Sequence, residues 1–254
     1  MDNEKRRFPN LVIEELFRRK SVRVFTQEPV SQDEKRLILE SACQAPTAGN
    51  QQLYTIIDVT DQNLKDRLAV TCDDQPFIAK APLVLVFCAD ASKWYRAYQN
   101  AGLAPRKPGP GDLFLAMADT VIAAQNAVTA AESLGIGSCY IGDILENCSE
   151  HRRLLHLPAY VVPAAMVVFG YPTSQQKERK KPERASLKFI VHENQYREMG
   201  KEELQEMLEP QAGQIPYEQW INAFCSRKYM SDFSREMSRS AEEYLKDFLG
   251  GENS

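Results

Sequence analysis

The 254-residue sequence predicts an α+β fold in which helices predominate and strands lie far apart along the chain. Two apolar runs, residues 53–59 and 82–90, are typical of strands, and a third follows at 162–172. Helical patterns of unequal length separate them. This irregular order does not match the strict strand–helix alternation of a parallel α/β sheet, so we expect a mixed architecture rather than repeated βαβ units.

The N-terminal elements can be placed from local signals. Residues 11–21, LVIEELFRRKS, form an apolar helical face that ends in a basic run. Ser31 and Glu34 have the spacing of a capping box, in which each side chain binds a backbone amide at the start of the next helix. Pro and Gly in APTAGNQQ, residues 45–52, end that helix. A polar helix at 61–70 separates the first two strands.

The most apolar helix spans residues 113–135, with Asp112 as its expected N-cap. At about 1.5 Å per residue it would be roughly 30 Å long, enough to cross a membrane. Four polar side chains interrupt it too often for lipid: Asp119, Gln125, Asn126 and Glu132. We therefore expect no membrane contact, and a helix that either threads the core or pairs with its twin in a dimer.

The C-terminal part predicts a helical extension. A basic loop, KERKKPER at 177–184, precedes a tail with little strand character. The segment 228–250 places seven side chains along one stripe: Met230, Phe233, Met237, Ala241, Tyr244, Leu245 and Phe248. We divide the chain into a core, residues 1–200, and an extension, residues 201–254, that packs on the core or on a second subunit.

Composition excludes several function classes. The net charge of −4 argues against nucleic acid as the main partner, because phosphate binding requires a basic face. The N-terminal MDNEKRRFPN lacks the apolar segment of a signal peptide, and the six cysteines are scattered without a paired spacing. We expect a cytoplasmic protein with reduced, mostly buried thiols. His151 and His156 are five residues apart and His192 is isolated, so no metal site is predicted.

Three glycines lie close together in ESLGIGSCYIGDI, at positions 135, 137 and 142. A dinucleotide fingerprint requires G-x-G-x-x-G between a strand and a helix, and here both the spacing and the order of elements differ. Gly135 suits a left-handed helix C-cap, an extended SCYI follows, and Gly142 opens another segment. Capping and turns could explain all three glycines, and a close approach of the backbone to a ligand is the alternative.

A second motif is typical of phosphate binding. Arg19, Ser21 and Arg23 alternate, so on an extended segment they point to the same side. Two guanidinium groups and a hydroxyl can bind a phosphate through charge-assisted hydrogen bonds. The alternative is a solvated basic helix end. Likewise, the 177–184 loop could be merely solvated or could offer one or two specific cations.

No nucleophile, base and acid can be assembled from this sequence, and the common catalytic motifs are absent from it. A phosphate-binding motif without catalytic side chains suggests that a bound cofactor performs the chemistry. No residue is therefore predicted to be catalytic.

Taken together and in order, these stretches resemble the nitroreductase family of flavoproteins, and most closely its NADPH-dependent flavin reductase and oxygen-insensitive nitroreductase subgroup. The resemblance rests on RRKSVRVFTQEPV, APTAGNQQ, AAESLGIGSCYIGDI, FGYP and IVHENQY. It implies a central antiparallel-type sheet flanked by helices, a long central helix, a C-terminal helical extension and a homodimer with two FMN sites at its interface.

The resemblance also implies the cofactor residues. Tyr140, Ile141 and Gly142 would lie against the reactive edge of FMN, with Gln75 at the ribityl chain or the ring edge. The phosphate and ribityl ligands would be Arg19, Ser21, Arg23, Lys181 and Arg184. A loop of the other subunit would reach the same flavin through Pro46, Thr47, Ala48 and Asn50.

The implied activity is an FMN-dependent NAD(P)H oxidoreductase that reduces nitroaromatics, quinones or free flavin by ping-pong hydride transfer. The subgroup reads the NADPH phosphate with C-terminal arginines, and only Arg227 and Lys228 lie near that place here. The partners would be NADPH or NADH and a small planar acceptor. Two alternatives remain open: another flavin reaction, such as dehalogenation, flavin destruction or peptide oxidation, or a flavin-storing module without turnover.

Overall fold

The computed structural model describes residues 8–250. Residues 1–7, which include most of the segment compared with a signal peptide, lie outside the described residues, as do 251–254 of the predicted extension. The helices in chain order are α1 (Leu11–Arg18), α2 (Gln32–Cys43), α3 (Gln62–Thr71), α4 (Pro76–Lys80), α5 (Ser92–Asn100), α6 (Pro110–Ser133), α7 (Cys148–Leu155), α8 (Ser174–Glu178), α9 (Leu187–Ile190), α10 (Lys201–Ala212), α11 (Tyr217–Lys228) and α12 (Asp232–Leu249). The strands are β1 (Tyr54–Asp58), β2 (Leu83–Asp90), β3 (Gly137–Ile141) and β4 (Val161–Gly170).

The four strands form one antiparallel sheet in the order β1-β2-β4-β3. All eight residues of β2 and all ten of β4 are buried, since these two strands occupy the centre of the sheet. Helices cover both faces, which explains why the β2 sequence is continuously apolar rather than alternating. The predicted antiparallel-type sheet flanked by helices is confirmed.

Alternate residues of β2 pack into two separate cores. Leu85 and Phe87 face α2 and α6, together with side chains such as Ile38 of α2. Val84 and Val86 face the opposite layer, which contains α3 and α4. The period of two along a strand thus divides the same run of apolar residues between two helical layers. The capping box that begins α2 is confirmed, because Ser31 Oγ accepts from the Glu34 amide and the Glu34 carboxylate accepts from the Ser31 amide.

The long helix begins earlier than the sequence indicated. Gly109 is the N-cap, Pro110 is the first helical residue, and Asp112 lies in the first turn, where its Oδ2 accepts from the Gly109 amide at 2.7 Å. The expectation that Asp112 is itself the N-cap was wrong, because Pro is favoured at the first helical position and lengthens the helix by one turn. Gly135 follows the helix end with a φ of 76°, as predicted for a C-cap.

Among the described residues, α6 is the one helix whose length and hydropathy would suit a membrane span. Nine of its residues are buried, and those that face the sheet, such as Ala124 and Val128, lie in the core with Phe87 of β2. It is therefore a core helix on that side. Its other side carries apolar side chains that remain exposed in the single chain.

The stripe along α12 is confirmed with one exception. Tyr244 and Phe248 are buried in a cluster with Leu53 of the segment before β1 and Ala89 of β2, which joins the last helix to the core. Arg152 forms an ion pair with Asp247 at 2.5 Å that strengthens this contact. Met230 was wrongly included in the stripe, since it lies before the helix begins and is 59% exposed.

The chain divides into two compact units. One contains the residues up to Arg179 and those from Glu236 onward, and the other is Lys180–Arg235. Within the smaller unit, α10 and α11 contact each other, and Tyr217, Trp220 and Phe224 form a series of neighbouring rings. The boundary predicted after residue 200 falls inside this unit, and the functional division of the chain into 1–200 and 201–254 stays a prediction.

Candidate functional site

The three clustered glycines have three different physical roles. Gly135 has a positive φ, whereas a Cβ on Gly137 would lie 2.6 Å from Val22 Cγ2. Around Gly142 there is open space, with no atom within 4 Å of the position that a Cβ would occupy. The positive φ of Gly135 and the close approach of Val22 to Gly137 explain the first two glycines. Gly142 has neither constraint and presents bare backbone at an open surface.

The open backbone at Gly142 follows directly from the end of β3. Ile141 is buried, and Gly142 begins a short 3₁₀ turn, Gly142–Leu145, as the sequence indicated. Burial raises the pKa of Tyr140 to about 12, while the positive charge of Arg19 acts in the opposite direction. Tyr140 therefore stays neutral at physiological pH, and Arg19 lies near the same strand.

The predicted phosphate-binding segment runs beside β3. Ser21 forms a parallel bridge with Ser138, and the Val22 amide donates to the Ser138 carbonyl at 2.8 Å. Burial raises the pKa of the Cys139 thiol, but the positive charges of Arg23 and Arg19 act against that rise. The structure thus brings Arg19, Ser21 and Arg23 together at one side of β3.

Arg179 adds a third cation that sequence reasoning missed. Its guanidinium donates to the Ser21 carbonyl at 2.5 Å, and it too opposes the raised pKa of Cys139. Lys20 secures this arrangement by donating to the Lys177 carbonyl at 2.6 Å. Arg179 lies within the basic 177–184 loop, so that loop supplies a specific cation, as one interpretation of the sequence proposed.

Two predicted cations of the same loop, Lys181 and Arg184, belong to the smaller unit. Arg227 and Lys228 are also in that unit, exposed in the last turn of α11, with the Arg227 guanidinium 5.4 Å from the Phe224 ring centre. The assignment of all four residues to cofactor or substrate stays a prediction.

Gln75 is held close to the Gly142 turn. Its side-chain Nε2 donates to the Cys72 carbonyl at 2.8 Å and to Asp143 Oδ2 at 3.1 Å. Both N–H bonds of the amide are therefore used within the chain, and the orientation of the amide is set. The carbonyl Oε1 is the atom that remains to accept a hydrogen bond from a ligand.

The loop with Pro46, Thr47, Ala48 and Asn50 has an unusual backbone. It contains a short 3₁₀ turn, Ala48–Asn50, and positive φ values at Gly49, Asn50 and Gln52. Such conformations persist only where surrounding contacts hold them. The contacts that hold this loop come from α5 and α6.

Asp119 of α6 and Trp94 of α5 hold this loop from two sides. Asp119 is 3% exposed, and its carboxylate accepts from the Ala48 amide at 2.9 Å and the Leu53 amide at 3.2 Å. The Trp94 indole N–H donates to the Gln51 carbonyl at 2.7 Å. An acidic residue in the most apolar helix of the chain was the signal that could have revealed the role of Asp119.

A second carboxylate was not singled out by the sequence. Glu146, at the end of the Gly142 turn, is 6% exposed, and its Oε1 has no hydrogen-bond partner in the described part of the chain. Burial, followed by the negative charges of Asp143, Asp73 and Glu236, raises its pKa to about 7. The turn beside Gly142 therefore carries a carboxyl group that titrates near neutral pH.

The cysteines and histidines have structural surroundings. Four of the six thiols, at 72, 88, 139 and 148, are buried, as expected, and Cys43 and Cys225 are exposed. His151 is fully buried between the Ile144 carbonyl and the Thr71 hydroxyl, at 2.9 and 2.8 Å. Within residues 8–250 there is no cluster of three His, Cys, Asp or Glu side chains that could hold a metal ion.

Comparison with known proteins agrees with this architecture. The sequence profile described as "Nitroreductase family" matches residues 16–171. The oxygen-insensitive NADPH nitroreductase of Salmonella typhimurium is 37% identical over 186 residues, which are 72% of this chain and 74% of that protein. The FMN reductase [NAD(P)H] of Bacillus subtilis is 30% identical over 237 residues, 92% of this chain and 91% of the relative.

Solved structures show the same fold. The NfrA2 structure from B. megaterium has a TM-score of 0.79 with 29% identity, covering 92% of this chain and 97% of the other. The NADPH:FMN oxidoreductase of Vibrio harveyi, solved in complex with NAD⁺, has a TM-score of 0.73 with 26% identity, covering 94% and 98%. Both the family and the fold predicted from the sequence are confirmed. The chain belongs to the nitroreductase family.

Proposed function

We propose that the chain is an FMN-dependent NAD(P)H oxidoreductase that reduces nitroaromatics, quinones or free flavin. The observation that carries this proposal is the convergence of three arginines, Arg19, Arg23 and Arg179, on the strand that ends in the open Gly142 turn. Such a site suits a ligand whose anionic group binds the arginines while its flat part lies against the bare backbone. The enzyme class follows from the family, and its relatives named as NADPH nitroreductase and FMN reductase support the cofactor and the electron donor.

The residues present fit FMN. A phosphate monoester carries between −1.5 and −2 charges at neutral pH, which the three arginines can compensate. Ser138 is fully buried at the bridge to Ser21, and its hydroxyl has no hydrogen-bond partner among residues 8–250. The unpartnered Ser138 hydroxyl and the carbonyl Oε1 of Gln75 offer further hydrogen bonds to the phosphate, the ribityl chain or the ring edge. Lys181 and Arg184 complete the proposed set of phosphate ligands.

When bound, FMN supplies the hydride-accepting ring, and the chain orients the reactants. The open backbone at Gly142 would leave room beside a bound ring for the nicotinamide and the acceptor in turn, as a ping-pong reaction requires. NADPH gives up a hydride, that is, two electrons and one proton. With one further proton from water, a quinone acceptor becomes a hydroquinone. Arg227 and Lys228 are proposed to bind the NADPH phosphate, and the electron donor is NADPH or NADH.

We further propose a homodimer. No residue of α1 is buried, and α6 exposes Phe114, Val121 and Ile122 although it is the most apolar helix. An exposed apolar surface of this kind is typical of a protein–protein interface. In the dimer, residues Pro46–Asn50 of one subunit would reach the flavin of the other. The scattered free thiols support a reducing, cytoplasmic location.

The proposal is tested by an absorption spectrum of the purified protein, recorded before and after anaerobic addition of NADPH. Flavin bands that bleach at once, and parallel lines in double-reciprocal plots of initial rate, are the expected results. Flavin that stays oxidised with both NADPH and NADH would favour a storage module without turnover. Intersecting lines would refute the ping-pong mechanism, and failure to bind added FMN would refute the site.

A further inference from the structure

Two adjoining cavities lie on either side of Trp94, and the proposed function does not use them. The inner cavity encloses about 270 Å³ between α5 and the loop before α6. The outer one encloses about 320 Å³ and is lined by Asn50, Gln52 and Lys93, among others. Gln51 and Trp94 line both cavities, so the indole forms their common wall.

The walls of the inner cavity combine aromatic and apolar side chains with the polar side chains of Gln51, Arg106 and Asp112. Trp94 and Tyr98 lie one helical turn apart on the same face of α5, with ring centres 5.8 Å apart and planes inclined by 43°. Their side chains remain 38% and 37% exposed, so a flat partner can still cover them. Pro105 and Leu115 add apolar surface. A volume just below the range of about 300 to 1,000 Å³ for typical ligand pockets suits one or two fused rings.

Fixed contacts hold these walls in place. The indole N–H of Trp94 is bound to the Gln51 carbonyl. Arg106 forms a bidentate ion pair with Asp112 at 2.6 and 3.0 Å, which holds the loop before α6 against the first turn of that helix. Pre-formed walls reduce the entropy that a ligand loses on binding. The loop therefore shapes a cavity.

The outer cavity borders the loop proposed to reach a flavin. Asn50 lines the outer cavity, and the same residue belongs to the loop that we propose reaches the flavin of the other subunit. Trp94 separates the outer cavity from the inner one. An acceptor bound in these cavities would lie beside the loop that we propose reaches the flavin.

We propose that the cavities around Trp94 and Tyr98 form a subsite for the aromatic ring of a planar, electron-poor acceptor of one or two rings. This inference rests on the proposed function, because it concerns the acceptor of that reaction. Stacking on the two rings discriminates aromatic acceptors from those without a ring. The oxidised acceptor binds there without any chemical change in the subsite itself.

The kinetic test compares 4-nitrobenzyl alcohol with ferricyanide, an acceptor without an aromatic ring, in the holoenzyme. Tyr98→Ala should raise the KM for the nitroaromatic about fivefold or more and leave the KM for ferricyanide unchanged. Tyr196→Ala, which removes a tyrosine that is 87% exposed and outside the cavities, is the matched control and should change neither. An equal KM for the nitroaromatic in wild type and Tyr98→Ala would overturn the subsite.

A binding measurement separates this inference from the proposed function. The chain has two tryptophans, so in a Trp220→Phe variant the fluorescence comes from Trp94 alone. Without NADPH, 4-nitrobenzyl alcohol should quench this fluorescence with saturation, and Tyr98→Ala should weaken the binding. Quenching that does not saturate would overturn the subsite. Bleaching of the bound flavin by NADPH, measured on the same samples, reports on the proposed function independently.

Discussion

The carboxyl group of Glu146 should make the protein less stable as the pH rises from about 4.5 to about 7. Glu146 is buried, its Oε1 lacks a partner, and Asp143, Asp73 and Glu236 add negative charge around it. Together these raise its pKa from 4.5 to about 7. The folded protein therefore binds a proton more tightly than the unfolded chain does, and stability is lost as that proton dissociates.

The magnitude follows from the two pKa values. At about 1.36 kcal/mol for each pKa unit, the difference between 4.5 and about 7 corresponds to about 3 kcal/mol as an upper bound. The effect is fully present below the unfolded pKa, near pH 4.5. Stability declines between about pH 4.5 and pH 7 and is constant above the folded pKa, as far as this group is concerned.

Glu146→Gln keeps the size of the side chain and removes the titration. We expect the free energy of unfolding of this variant, relative to wild type, to increase from pH 5 to pH 7.5 by about 2 to 3 kcal/mol. Urea-induced unfolding, followed by circular dichroism at fixed protein concentration, measures the difference. A constant difference across this range would refute the reasoning, because it would mean that Glu146 is ionised throughout.

Glu150→Gln is the matched control. Hydrogen bonds from Arg153 and Arg67 lower the pKa of Glu150 to about 2. Its stabilising contribution is present above the unfolded pKa and is lost only as the pH falls toward 2. The difference between this variant and wild type should therefore not change between pH 5 and pH 7.5, in contrast to Glu146→Gln.

Three further predictions concern the loop, the packing and the donor. Asp119→Asn should destabilise the protein by about 1 to 3 kcal/mol and weaken FMN binding in equilibrium dialysis, because one of the two loop amides loses its acceptor. Unchanged FMN affinity would show that this loop does not contribute to FMN binding. Gly137→Ala should lower the melting temperature, since its Cβ would lie 2.6 Å from Val22 Cγ2, and Val22→Ala in the same chain should recover part of the loss. Arg227→Ala should raise the KM for NADPH and leave that for NADH little changed, whereas equal effects on both would exclude a role in reading the phosphate.

Much of the fold could be predicted because its signals are local. The continuous apolar run of β2, the capping box at Ser31 and the C-cap at Gly135 each depend on a few neighbouring residues. The alternation of Arg19, Ser21 and Arg23 likewise placed three polar groups on one side of an extended segment. Backbone geometry and side-chain period decide these features, so local sequence rules are sufficient to predict them.

Other features depend on residues that are far apart in the chain. Asp119 accepts hydrogen bonds from a loop about 70 positions earlier, and Arg179 binds the Ser21 carbonyl across 158 positions. The near-neutral pKa of Glu146 requires burial and the charge of Glu236, which lies on the last helix. The sequence by itself determined most of the elements and the family, and it predicted most of the candidate cofactor residues. Only the tertiary structure decided which buried carboxylates and which third arginine lie near the candidate site, because burial and charge proximity arise when distant segments pack together.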